Sequence, residues 1–172
     1  EVCDPDRLGE LDPDVGMKAR GGIWYEQDCH LDPGRFLQGL KESAVKKGAQ
    51  FRYHCMVQEV GDGTVLLEGG EEVAGAEVIV AGGAWTDSMA RSLKTRIPLQ
   101  GGKGYSLTLD DPSALPRLCS LLGEARVAIT PMGDSLRVAG TMEICGNDLS
   151  INERRVQGII KAACRMFPGL TP

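Results

Sequence analysis

Residues 78–86 read Val-Ile-Val-Ala-Gly-Gly-Ala-Trp-Thr, and this stretch decides the fold class. Its β-branched beginning is typical of a fully buried strand. The two glycines allow a sharp turn or the close approach of a ligand, and residues 88–93 (Ser-Met-Ala-Arg-Ser-Leu) are predicted to be helical. In α/β proteins, a unit of strand, glycine turn and helix commonly places backbone N–H groups against a phosphate or a ring of a ligand. The alternative is a strand that only turns tightly.

The composition is that of a globular protein. The chain has 172 residues, 42% of them hydrophobic, which suffices for one large domain with a proper core. Its net charge of −5 and pI of about 5.1 argue against nucleic acid as a partner. The sequence has no apolar run of the roughly 18 residues that a transmembrane helix needs.

Six cysteines are scattered along the chain without a C-x-x-C pair, and only His30 and His54 could assist them. Reduced structural thiols in a cytoplasmic protein are therefore predicted, rather than a disulfide framework or a zinc site. The first residue is not methionine, residues 1–20 are polar and predicted to be loop with at most a short turn, and the last residues follow a helix. We expect a piece of a longer parent protein.

Two helices have clear boundaries. Asp32 and Pro33 are the expected cap and first residue of one helix, and Gly48 is placed for a left-handed C-terminal cap. The apolar stripe of this helix is Phe36, Leu37, Leu40, Ala44 and Val45. Ser150 and Glu153 have the spacing of a capping box for a second helix, which Pro168 ends.

The remaining pattern predicts antiparallel strands. Residues 50–60, broken near Cys55, are followed by a hairpin turn at 61–63 and a small meander that leads into residues 78–81. Residues 101–104 are so rich in glycine that a strand there needs something close to the backbone. Residues 110–122 are predicted to be loop with a short helical turn, and a hairpin covers 125–144. The predicted fold class is α+β.

No familiar catalytic set is present. The sequence contains no G-x-S-x-G, no H-E-x-x-H, no P-loop and no G-x-G-x-x-G, and its two histidines are not at metal-ligand spacing. We predict no metal site.

The order of several short motifs resembles the D-amino-acid oxidase-like FAD-dependent flavoenzymes, and within them the bacterial D-amino-acid dehydrogenase small subunit. The matching segments are residues 21–60, 78–85, Lys-Gly-Tyr-Ser at 103–106, Val-Ala-Ile-Thr at 127–130, Arg-Val-Ala-Gly-Thr-Met-Glu-Ile-Cys-Gly at 137–146 and Phe-Pro-Gly at 167–169. The resemblance implies a substrate-domain sheet, antiparallel or mixed, with flanking helices and a strand–turn–helix piece of the FAD-binding domain. It divides the chain into a lead-in (1–20), the start of the substrate domain (21–56), a partial FAD-domain insertion (57–94) and the substrate-domain sheet with the terminal helix (95–172).

Two expected features of that family are missing. Its members begin with a strand–G-x-G-x-x-G–helix unit that holds the FAD pyrophosphate, and they end with a glycine-rich segment whose arginine pairs with the substrate carboxylate. This sequence matches neither. We therefore expect the isolated chain to be inactive and to need the parent's N- and C-terminal segments as partners.

For the parent, the resemblance implies oxidative deamination of D-amino acids to 2-oxo acids and ammonia, by hydride transfer from the substrate to N5 of FAD. It also implies electron transfer to a membrane quinone pool. That route would place a cytoplasmic protein in peripheral contact with the inner membrane. Two alternatives stay open: an oxidase of glycine, sarcosine or an opine, and a non-catalytic binding module derived from the substrate domain.

The matched positions also suggest site residues. Val57, Ala81, Gly82, Gly83 and Trp85 are the candidate FAD contacts. For Val57 the alternative is an ordinary core residue.

Tyr105 is the first candidate for a substrate-side hydroxyl, Tyr25 the second, and Met142 a candidate pocket residue. The alternatives are a half-buried sheet tyrosine and a core-filling methionine. Arg137 could attract a carboxylate, although a surface role is the simpler interpretation, and Lys103 is expected to be solvated.

Overall fold

The structure, a computed structural model, describes residues 1–90, 92 and 94–171. The helices are α1 (Pro5–Leu11), α2 (Pro33–Lys46), α3 (Thr86–Ala90) and α4 (Glu153–Met166), and a 3-10 turn covers Gly83–Trp85. The strands are β1 (Val2–Cys3), β2 (Gly22–Ile23), β3 (Val57–Val60), β4 (Thr64–Leu67), β5 (Glu72–Ala74), β6 (Gly102–Asp110), β7 (Ser120–Leu122), β8 (Val127–Met132) and β9 (Ser135–Ile144). They form sheets of order β1-β2, β3-β4-β5 and β6-β9-β8-β7. The α+β prediction with antiparallel sheets is confirmed.

The chain divides into two compact units. The first comprises Glu1–Gly39, Gly104–Met142 and Ser150–Pro172, and the second comprises Leu40–Lys103 and Glu143–Leu149. The four-segment division expected from the sequence concerns the parent protein and stays a prediction.

The core of the first unit lies between the four-stranded sheet and α4. Side chains alternate along each strand, and one face of the sheet carries the buried Tyr105, Ile129, Leu136 and Val138. The helix contributes Ile159 and Ala163, among other residues, to the same cluster. Burial of this apolar face is the main stabilising contribution to the unit.

The lead-in is more ordered than the predicted loop. Residues 5–11 form α1, because the Asp4 carboxylate accepts a hydrogen bond from the Arg7 N–H at 2.8 Å and Pro5 lies in the first turn. This is the same Asp-Pro start that correctly predicts α2, where Asp32 Oδ1 accepts from the backbone N–H groups of Gly34 and Arg35.

Asp12 ties the lead-in to the loop before β7. Its side chain is only 2% exposed. One carboxylate oxygen accepts a hydrogen bond from the Arg117 N–H at 3.1 Å, and the other accepts from the Leu118 N–H at 3.2 Å. The pairing lets both the charge and the two backbone donors be buried without loss of hydrogen bonds.

The second unit contains the predicted meander. Strands β3, β4 and β5 pair antiparallel, and Gly63 has the positive φ of +72° that the turn requires. The first strand is shorter than predicted. It begins at Val57, because His54 has a φ of +55° and interrupts the extended chain.

The predicted strand at residues 78–81 is not formed. No strand in the described part of the chain pairs with it, and Ile79 is 86% exposed rather than buried. A strand is stable only when its backbone groups pair with a neighbour, so a β-branched run without one stays extended but irregular. The helical prediction for 88–93 holds to Ala90, and Arg91 and Leu93 lie outside the described residues.

The apolar stripe of α2 is exposed, with Phe36, Leu37, Leu40 and Val45 each at least half accessible. The helix ends as predicted, with Gly48 at a φ of +94°.

Three further predictions are corrected or refined. The glycine-rich residues do begin β6, and the required close approach exists, since a Cβ on Gly101 would lie 2.8 Å from the Gly146 carbonyl oxygen. The residues before β8 form β7 by pairing with β8, not a helical turn. Asn152 caps α4 instead of the predicted Ser150 box, since its side-chain oxygen accepts from the Arg154 N–H.

Replacing the buried Asp12 tests the link between lead-in and loop. We expect Asp12→Ala to lower the free energy of unfolding of the full-length protein by about 1–3 kcal/mol, because two backbone donors lose their acceptor. Asp14→Ala is the matched control, since Asp14 pairs with the Arg117 side chain at the exposed surface. Chemical denaturation gives both values, and equal losses in the two variants would contradict the assignment.

The ion pair of the meander predicts a pH dependence. The two terminal guanidinium nitrogens of Arg52 donate to the Glu71 carboxylate, at 3.0 and 2.8 Å. These hydrogen bonds and the positive charge lower the pKa of Glu71 from its usual 4.5. A lowered folded pKa means that the stabilisation is complete above the unfolded pKa and is lost as the pH falls through the folded one.

We therefore expect Glu71→Gln to lower Tm slightly between about pH 6 and 8, and we expect this Tm difference to shrink as the pH falls below about 4, where a free glutamate becomes protonated. Glu72→Gln, at the exposed neighbouring position, is the control. A Tm difference that grows as the pH falls would refute the prediction.

Candidate functional site

The face of the four-stranded sheet opposite the core is the first candidate surface in unit 1. Strand alternation places Ser106 of β6 and Arg137 of β9 there, away from the buried Tyr105 and Leu136. The Arg137 guanidinium donates to the Ser106 hydroxyl at 3.0 Å, which holds the cation against the sheet. An arginine oriented in this way can bind a carboxylate.

Met142 lies further along β9 and is 64% exposed. The core-filling alternative is thus excluded for this chain, and the thioether is free to line a binding surface. Its role stays a prediction.

Tyr105 lies on the other face. It is 8% exposed and belongs to the hydrophobic core, and its hydroxyl accepts a hydrogen bond from the Asn152 N–H at 3.2 Å, at the start of α4. The structure therefore does not bring Tyr105 and Met142 to one face of the sheet. Tyr25, the second tyrosine candidate, follows β2 and is 60% exposed.

The predicted cofactor contacts lie in unit 2. Val57 is the half-buried first residue of β3 and pairs with Leu67 of β4. Ala81 is exposed in the irregular segment, and Trp85, at the end of the 3-10 turn, is half exposed.

The structure gives Gly83, but not Gly82, a conformational reason of its own. A Cβ on Gly82 would lie 2.9 Å from the Met89 sulfur, and Gly83 has a φ of +55°. The positive φ explains the glycine at position 83 without a ligand, whereas at position 82 the neighbouring atoms belong to the flexible Met89 side chain. The cofactor role of both glycines stays a prediction.

The exposed residues around the glycine turn are suited to contact one part of FAD, its ring system. Ile79 and Trp85 expose apolar surface beside a glycine turn, which suits contact with a planar ring system. The dinucleotide's pyrophosphate needs a glycine-rich turn at a helix N-terminus, and the sequence has no G-x-G-x-x-G. The exposed apolar surface thus fits a ring contact, and the sequence offers no matching motif for the phosphates.

Lys103 is not the solvated residue that the sequence predicts. Its side chain is 15% exposed, and its ammonium nitrogen lies 3.2 Å from Glu143 and 3.4 Å from Asp148. An ammonium group that is largely shielded from water is stabilised by such partners. The two carboxylates lie about 40 residues further along the chain, so the ion pairs tie Lys103 to that segment.

Two classes of site are absent from the described residues. No group of three or more histidine, cysteine, aspartate or glutamate side chains there could hold a metal ion. No helix in the same part of the chain has the length and apolarity to span a bilayer.

Solved structures share this fold. Glycine oxidase from Geobacillus kaustophilus superposes with a TM-score of 0.81 at 17% identity, over 98% of this chain and 46% of the oxidase. L-proline dehydrogenase from P. horikoshii superposes with a TM-score of 0.79 at 14% identity, over 100% of this chain and 50% of the dehydrogenase. At these identities the likeness concerns the fold alone.

Sequence relatives are more similar. A D-amino acid dehydrogenase of Xanthobacter autotrophicus is 34% identical over 98% of this chain and 42% of its own length. Proteins of the same name from Xylella fastidiosa and Vibrio cholerae are each 32% identical, over 98% and 90% of this chain. The chain spans about two fifths of the length of these curated relatives.

The match to a protein family covers the whole sequence. The pattern of the family described as "FAD dependent oxidoreductase" (DAO) aligns with residues 1–172. Fold, relatives and family pattern agree, and the resemblance expected from the short motifs is confirmed. The chain belongs to the DAO family of FAD-dependent oxidoreductases.

Proposed function

We propose that the whole protein is an FAD-dependent dehydrogenase that oxidatively deaminates D-amino acids to 2-oxo acids and ammonia. The observation that carries the proposal is the 34% identity over 98% of the chain to a protein named D-amino acid dehydrogenase. The alternative, oxidation of glycine, sarcosine or an opine, has weaker support, because the glycine oxidase neighbours are only 17–18% identical.

The chemistry is divided between cofactor and protein. FAD, when bound, accepts the hydride from the substrate α-carbon. The residues of this chain bind and orient the amino acid, and they exclude water from it. The open sheet face carries groups suited to this task, namely the Arg137 cation that Ser106 holds and the apolar Met142.

Val57, Ala81, Gly82, Gly83 and Trp85 are the residues that we propose to contact the cofactor. Of these, Trp85 and the backbone at 81–83 lie at an exposed turn. Because the sequence has no pyrophosphate-binding glycine motif, we propose that other segments of the parent complete the FAD site. The chain alone would then bind FAD weakly and be inactive.

Flavin bleaching by candidate substrates tests the function. We would load the full-length protein with FAD, exclude oxygen, and add D-alanine, L-alanine, glycine, sarcosine and D-proline in turn. Reduction bleaches the flavin absorbance, and we expect bleaching with D-alanine or D-proline and none with L-alanine. Admission of oxygen afterwards reports the acceptor, because a dehydrogenase is reoxidised slowly by oxygen and rapidly by a quinone.

Other outcomes have equally clear meanings. Bleaching by glycine or sarcosine alone would reassign the protein to the oxidases. A full-length protein that takes up no flavin would reject the enzyme and favour the non-catalytic binding module.

Tyr105→Phe tests the first tyrosine candidate. We expect the free energy of unfolding to fall by about 1 kcal/mol, because the Asn152 N–H loses its acceptor. Tyr25→Phe, at an exposed tyrosine, is the matched control and should leave stability unchanged. The same variants decide the substrate-side role, since a raised KM for the D-amino acid in Tyr105→Phe would support it and an unchanged KM would contradict it.

A further inference from the structure

Strand β9 changes its side-chain alternation near its end. In its first half Leu136 and Val138 are buried, whereas Arg137 is on the opposite face. A strand of unbroken period 2 would place Met142 on the buried face and Glu143 on the open face. The structure shows the reverse, since Met142 is 64% exposed and the Glu143 side chain is 14% exposed.

An ion pair confirms this change of phase independently. Alternation along β6 places Lys103 on the same face of that strand as the buried Tyr105. Lys103 is the residue that pairs with Glu143, at 3.2 Å. Glu143 therefore belongs to the buried face, and a one-residue shift lies between Val138 and Glu143.

Thr141 is the residue where the shift occurs. Its φ is +53°, a conformation that is a clear outlier for a β-branched residue. The residue before it does not carry the shift, because Gly140 stays in regular register with Val127 of β8 and is not among the residues with a positive φ. A left-handed residue in a strand reverses the alternation that follows, as the glycine of a β-bulge does.

Arg155 of α4 holds Thr141 in this conformation. Its guanidinium donates to the Thr141 hydroxyl at 2.6 Å, and the contact is partly buried. Strained backbone persists only where its surroundings constrain it, and such strain is concentrated at functional sites. The hydrogen bond is a constraint of this kind, and it comes from a helix on the opposite side of the sheet from Met142.

We propose that Arg155 and Thr141 are positioning residues that turn Met142 onto the open sheet face and so towards the amino-acid substrate. Met142 then joins the face that carries Arg137 and Ser106. The substrate half of this inference rests on the proposed function. Neither Arg155 nor Thr141 is required to contact the substrate.

Oxidation of Met142 by hydrogen peroxide reports its position without reference to catalysis. In the full-length protein, mass spectrometry of the peptides would give the sulfoxide formation rate at Met142, with Met56, which is 66% exposed, as internal reference. We expect Arg155→Met to slow oxidation of Met142 about fivefold or more, as the released strand regains its regular alternation. Arg155→Lys, which keeps a donor, should retain most of the wild-type rate.

A glycine at position 141 separates positioning from simple loss of stability. Glycine adopts a positive φ without strain, so Thr141→Gly alone should leave Met142 reactive. Combined with Arg155→Met, it should restore the oxidation rate to within about twofold of Thr141→Gly alone, because the two effects are coupled. Arg154→Met, an exposed arginine on the same helix, is the matched control and should change nothing.

Kinetics with D-alanine test the substrate half. We expect Arg155→Met to raise KM about tenfold, the double variant to restore it, and a bound D-amino acid to slow oxidation of Met142 in the wild-type protein. A wild-type oxidation rate in Arg155→Met, or no rescue by Thr141→Gly, would overturn the positioning role. If no amino acid reduces the flavin, the proposed function fails, while the oxidation rates still confirm or refute the role of Arg155.

Discussion

The four-stranded sheet can bury only one of its two faces under α4, and this constraint governs the rest of unit 1. Tyr105, Ile129 and Val138 fill the covered face together with Ile159 and Ala163 of the helix. The opposite face therefore carries polar side chains, including the Arg137–Ser106 pair. The proposed binding surface is therefore the sheet face that the core does not cover.

Polar groups that are shielded from solvent connect segments that are distant in the sequence. Asp12 is satisfied by two backbone N–H groups more than 100 residues away in the sequence, and Lys103 is satisfied by carboxylates at 143 and 148. Each group would be costly to bury alone. The hydrogen-bond and ion-pair partners of Asp12 and Lys103 therefore help to determine which segments lie next to each other. The packing of apolar side chains determines the rest.

The segment at 78–85 shows the limit of local pattern. Its β-branched run has the composition of a central strand, yet strand formation depends on neighbours that donate and accept backbone hydrogen bonds. Among the described residues it has no such neighbour, and Ile79 and Trp85 remain exposed. The same exposure leaves Trp85 accessible for the FAD contact that we propose.

By itself the sequence determined the features that depend on short-range chemistry. The α+β class, the Asp32-Pro33 helix start, the Gly63 turn and the family resemblance all rest on neighbouring residues or on motif order. Tertiary structure alone decided the placement of Tyr105 in the core, the pairing of Lys103 and the phase of β9 at Thr141. Those outcomes depend on partners far along the chain, such as Arg155 of α4, whose guanidinium donates a hydrogen bond to the hydroxyl of the left-handed Thr141.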